Sequence, residues 1–151
     1  MTGWYLEDYT VGRTIETEPV RLDEDEITWF ANQYDPQPFH TDAELAKSTV
    51  FDGLIASGFQ TVAIATGQFI RTGAVDETGL GGPGMDNIRW VAPVRPGDTL
   101  STEVTVIEAR ATKSDPTRGV VRLGFSVSTE AGVVATFEAV VFVKARAGSS
   151  S

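Results

Sequence analysis

From Leu54 to Ile70 the chain carries no charged residue, and this stretch constrains the fold more than any other feature. Ser57, Gly58, Gln60, Thr61, Thr66, Gly67 and Gln68 interrupt it too often for a membrane span. Ser57 followed by Gln60 fits a capping box, so the spacing predicts a helix that starts at Gly58 and runs to Ile70. Phe59, Val62, Ala63, Thr66 and Ile70 form one apolar stripe, and Ile64 and Ala65 leave the other side nearly as apolar. A helix apolar on most of its sides has to be wrapped. With 151 residues there is room for one domain and one core to wrap it.

The wrapper is legible in the second half. Leu100, Thr102, Val104 and Val106 alternate with Ser101, Glu103 and Thr105 at a period of two. Val121 to Ser128 and Val133 to Val143 repeat the pattern on either side of a Thr129 to Gly132 turn, which predicts an antiparallel hairpin. Around Val140 to Val143 both faces are apolar, as in a strand covered on two sides by a helix or another subunit. Met85 to Val91 is a further strand, followed by Arg95-Pro96-Gly97-Asp98, where Pro and Gly suit a type II turn. Arg13 to Leu22 is the expected fifth strand. Asp23 and Glu26 resemble a capping box for a shorter helix through Ile27, Phe30 and Ala31 to about Gln33, which Pro36 and Pro38 do not allow to continue. The fold class is therefore α+β, an antiparallel sheet of about five strands around a long central helix. One domain is expected over residues 1–146, with a disordered tail at 147–151.

A net charge of -9 with no basic run makes nucleic acid a poor partner. The absence of Cys removes disulfides, thiolate zinc sites and cysteine nucleophiles, and the cytoplasm is the expected compartment. No secretory signal is expected, because the opening residues lack a basic segment and an apolar one.

The single histidine, His40, is the first place to look for chemistry, although a lone His is more often a surface or satisfied core residue. Its surroundings are Tyr34-Asp35-Pro36-Gln37-Pro38-Phe39-His40, so two prolines stiffen a segment that carries a carboxylate and an imidazole. Such a loop can aim an acid and a base at one point. Asp35 equally suits a turn or cap. Gly58, first in the helix, has a backbone N–H with no intrahelical acceptor at the positive end of the macrodipole, fit to hold a carbonyl oxygen that gains charge. A glycine needed only for tight helix–sheet packing is the alternative reading there.

Three segments carry a resemblance: Asp35-Pro36-Gln37-Pro38-Phe39-His40, Leu54-Ile55-Ala56-Ser57-Gly58, and Arg89-Trp90-Val91-Ala92-Pro93-Val94-Arg95-Pro96-Gly97-Asp98-Thr99-Leu100. In this order they resemble the MaoC-like acyl dehydratases, which include (R)-specific enoyl-CoA hydratases, over about residues 5 to 145. The family pattern is Asp-x-Asn-Pro-x-His, a Gly opening the central helix, and a Pro-Val-x-Pro-Gly-Asp turn. The resemblance implies a hot-dog fold, usually paired as a homodimer. It also implies a hydro-lyase that adds water to a trans-2-enoyl-CoA thioester, with Asp35 and His40 as the acid–base pair and the Gly58 N–H as oxyanion donor. Neither a metal nor a redox cofactor is implied.

Gln37 stands where the family usually has Asn, and Ser57 where many members have His, which bears on substrate range and direction. Gln37, Phe39, Ser57, Phe59, Thr66 and Arg89 are the expected substrate-binding residues; Phe39, Phe59 and Phe69 are candidates for an acyl tunnel. Arg89, Arg95, Lys113 and Arg118 are candidates for the CoA phosphates. A hot-dog thioesterase and a non-catalytic acyl-CoA binding domain are the alternatives.

Overall fold

The computed structural model describes residues 3–146, so the tail expected at 147–151 lies outside the described residues. The long alternating segments form three antiparallel strands in succession, β4 (Thr99–Ala111), β5 (Arg118–Thr129) and β6 (Gly132–Lys144), preceded by an edge strand β3 (Gly84–Trp90). Two short strands, β1 (Thr14–Glu16) and β2 (Val20–Arg21), pair with β4. Among the described residues the sheet has six strands in the order β1-β4-β5-β6-β3, with β2 also on β4. The helices are α1 (Glu24–Tyr34), two single turns α2 (Pro38–Thr41) and α3 (Ala43–Ala46), and the long α4 (Gly58–Ile70). This is the expected single α+β hot-dog domain. None of the described helices is long and apolar enough to cross a membrane.

Period-two alternation puts one face of each long strand against α4. Val104 faces Phe125 in register, and Phe125 faces Phe137. The last two rings stack at 4.5 Å, and Phe69 of α4 meets Phe125 edge-on at 5.7 Å. The β5–β6 hairpin closes with Thr129 opposite Gly132, as the sequence predicts. In the Arg95–Asp98 turn Gly97 takes φ +91, the left-handed value that a type II turn demands, and the Asp98 N–H donates to the Arg95 carbonyl at 3.0 Å.

Two expectations are corrected. The strand expected over Arg13–Leu22 breaks in two, because Pro19 has no N–H to give to a ladder. In the gap Thr17 bonds through its side chain, its hydroxyl donating to the Thr102 carbonyl at 2.7 Å. The predicted Ser57–Gln60 capping box is half formed: Ser57 Oγ accepts the Phe59 N–H at 3.2 Å, whereas the Gln60 amide donates to the Glu26 carbonyl of α1 at 3.0 Å. The sequence leaves open which side of α4 is inside, since both are nearly equally apolar. Its buried face is Gln60, Thr61, Ala65, Gln68 and Phe69. Of the apolar stripe, Phe59 and Ile70 are turned outward, 60% and 49% exposed, while Val62 packs against the core.

Gln68 explains how a polar face packs inward. Its Nε2 donates to the carbonyls of Glu18 and Leu100, both at 2.9 Å, and its Oε1 accepts the Thr102 hydroxyl at 2.7 Å. One amide thus ties α4 to β4 and to the break between β1 and β2, with its full donor capacity used. Gln68→Leu takes away the partner of the buried Thr102 hydroxyl and one donor from each of the Leu100 and Glu18 carbonyls, and is expected to cost about 2–4 kcal/mol by urea denaturation. Thr102→Val in the same background should then cost less than it does alone.

Candidate active site

Asp35 caps the C-terminus of α1, its N–H donating to the Ala31 carbonyl at 2.8 Å. Pro36 ends the helix there, and Pro38 starts the single turn α2, so Gln37 and His40 follow within one rigid bend. The segment before α4 lies against this bend: the Ile55 N–H donates to the Phe39 carbonyl at 2.9 Å, and the Ala56 N–H to the Val94 carbonyl at 2.8 Å. That backbone pairing brings Asp35, His40 and the start of α4 together.

His40 is 5% exposed, and its Nδ1 lies 2.7 Å from the Ile55 carbonyl. A carbonyl only accepts, so Nδ1 carries the proton, and in the neutral ring Nε2 is left as a lone pair. Nε2 sits 3.4 Å from Asp35 Oδ2. Both oxygens of Asp35 receive hydrogen bonds, Oδ1 from Gln37 Nε2 at 2.7 Å and Oδ2 from Ser57 Oγ at 2.8 Å. Burial alone would push the Asp35 carboxyl up, but the bonds from Gln37 and Ser57 outweigh it and hold the carboxyl below its ordinary value, and a protonated His40 ring acts in the same direction.

Asp35, Gln37, Phe39, His40, Gly58 and Phe59 all line one cavity of about 450 Å³. Ser57 is fully buried behind it, touching Asp35 and the helix backbone. The N–H of Gly58, first in α4, has no acceptor within the helix. Trp90 of β3, which sequence reasoning did not single out, packs on the Gly58 backbone so closely that a Cβ there would lie 2.3 Å from its Cε2. Gly58 is thus needed for the close approach of the Trp90 ring, which is the packing reading of this glycine. Trp90 stood inside a quoted motif, but its reach across to α4 is set by the sheet edge. The Ile55 carbonyl that orients His40 is a backbone atom and carries no signal in the sequence.

Other expected residues fall elsewhere. Thr66 and Phe69 line a second, apolar cavity of about 410 Å³, with Ile70, Met85 and residues of β6. Arg89 lines neither cavity and turns back to the Ile88 carbonyl at 3.1 Å. Arg95 donates to the Phe51 carbonyl at 2.6 Å, and Arg118 pairs with Asp115 at 3.0 Å, in the β4–β5 connection that also carries Lys113. Among the described residues no group of three or more His, Asp or Glu is placed to hold a metal ion.

The model of the MaoC like domain matches residues 8–131. The chain belongs to the MaoC-like dehydratase family. It is 31% identical to an (R)-specific enoyl-CoA hydratase of Rhodospirillum rubrum, over 94% of this chain and 93% of that one. It is 34% identical to an uncharacterized protein of Bacillus subtilis, over 73% of this chain and 78% of the other. A crystal structure of the MaoC-like dehydratase from R. rubrum superposes with a TM-score of 0.88 at 36% identity, covering 95% of this chain and 99% of that one.

In this MaoC-like domain Gly58→Ala drives a methyl group into the Trp90 ring. A loss of roughly 1–3 kcal/mol is expected by urea denaturation, with part of it recovered in Gly58→Ala/Trp90→Ala. The lowered carboxyl of Asp35 has a signed consequence. Its stabilisation is present above the ordinary Asp value of 3.8 and is lost as pH falls through the folded value, because the unfolded chain takes up the proton first. Asp35→Asn should therefore flatten part of the drop in urea midpoint between pH 7 and pH 3.

Proposed function

We propose that the protein is a hydro-lyase that adds water reversibly to a trans-2-enoyl-CoA thioester, giving the 3-hydroxyacyl-CoA. The observation that carries this reading is the convergence, in one cavity, of a carboxylate, an imidazole whose free nitrogen faces it at 3.4 Å, and a helix-initial N–H. A water held between Asp35 Oδ2 and His40 Nε2 lies where its proton can be taken by the imidazole. As its oxygen bonds to the β-carbon, the double-bond electrons move toward the thioester carbonyl, and the Gly58 N–H stabilises the enolate oxygen. A proton returned to the α-carbon by the Asp35–His40 pair completes the addition. No metal or redox group is required by this chemistry.

The assembly we propose is a homodimer. Phe59, Ile70, Met85 and Trp90, the outward stripe of α4 and the edge strand beside it, are large apolar residues left 39–60% exposed in the single chain. A second copy over this edge would cover them and close both cavities against water. Sedimentation at micromolar concentration should show twice the 16.2 kDa chain mass; a species of 16.2 kDa alone would exclude the dimer.

The activity is tested by the loss of enoyl-thioester absorbance with trans-2-enoyl-CoA substrates from four carbons upward. His40→Ala and Asp35→Asn are each expected to lower kcat by roughly 10²–10⁴-fold while remaining folded. Undiminished turnover in either removes the role given to that residue. Release of free thiol from saturated acyl-CoA would replace the hydratase reading with a thioesterase one.

A further inference from the structure

Two neutral side chains from different segments, Gln37 and Ser57, touch the same carboxylate, that of Asp35. Each takes a different oxygen, Gln37 Nε2 on Oδ1 at 2.7 Å and Ser57 Oγ on Oδ2 at 2.8 Å. Gln37 reaches back two residues across the bend closed by its own N–H on the Asp35 carbonyl. Ser57 has one hydroxyl proton and gives it to Asp35, while its lone pair accepts the Phe59 N–H at 3.2 Å. A single hydroxyl therefore joins the α1–α2 bend to the first turn of α4, which also carries the Gly58 N–H. The titratable group facing Asp35 is His40, and Gln37 and Ser57 are neutral donors that stabilise the ionised form.

We infer that Gln37 and Ser57 are positioning residues, a two-point clamp that fixes the Asp35 carboxylate against His40 and holds it in register with the oxyanion donor. Neither touches the reacting atoms in this assignment, which revises their expected place among substrate-binding residues. The inference rests on the hydratase reading for its effect on turnover, but not for its effect on the carboxyl group.

The test uses carboxyl-¹³C NMR of the substrate-free full chain, with Asp35→Asn to assign the signal, beside rate profiles on a trans-2-enoyl-CoA. In Ser57→Ala and Gln37→Ala the Asp35 carboxyl titration moves to higher pH, since each variant loses a donor to the charged form. In Gln37→Glu it moves further, because an acceptor then faces an acceptor. The acid limb of kcat/KM moves the same way, with kcat down roughly tenfold or more and KM little changed. An Asp35 titration unmoved in both alanine variants overturns the clamp. Gln37 is exposed and outside α4, so its variant decides the matter if Ser57→Ala does not fold. A titration that moves in a protein with no turnover of any enoyl-CoA supports the clamp and removes the hydratase reading, so the two fail separately.

Discussion

The position of α4 against the sheet is the constraint on which the molecule depends, and a buried amide sets it. Apolar contacts such as Phe69 on Phe125 draw the helix to the sheet but are not directional. The Gln68 amide, bonded to the Glu18 and Leu100 carbonyls and the Thr102 hydroxyl, fixes how far along and around its axis the helix sits. The same choice of inner face turns Phe59 and Ile70 outward beside β3, at the edge where the proposed partner would lie.

With α4 fixed, its N-terminus becomes a reference point for the chemistry. Ser57 caps it and bonds Asp35, the Ile55 carbonyl just before it sets the His40 tautomer, and Gly58 offers an N–H under the Trp90 ring. The proposed acid, base and donor are thus held by side-chain and backbone bonds within a few residues of one helix end. Such an arrangement costs little reorganisation when charge develops, which is how preorganised donors lower a barrier.

Much of this was legible in the sequence where a pattern is local. Period-two alternation gave the three long strands, the Thr129–Gly132 turn gave the hairpin, and Ser57 gave the first residue of α4. Asp35, His40 and Gly58 stood in a recognisable order, and they share a cavity. What was not legible is set by contacts remote in sequence. Hydropathy leaves the inner face of α4 open, because it does not register that Gln68 finds three partners there or that a sheet edge is left open for another surface. Pro19, which has no N–H to give to a ladder, interrupts the strand expected over Arg13–Leu22. Thr66 and Arg89 were placed by helix spacing and by motif, and the structure sets Thr66 at a second cavity and Arg89 outside both.

Asp35, His40 and Gly58 are proposed to move water and a proton across an enoyl thioester. Reaction in D₂O tests this most directly, with the product from a trans-2-enoyl-CoA analysed by mass spectrometry and proton NMR. The expected product is a 3-hydroxyacyl-CoA carrying one solvent deuterium at the α-carbon, formed by the wild-type chain and not by His40→Ala. Free CoA with an unhydrated acid, or a labelled product formed equally well by His40→Ala, would contradict the proposal.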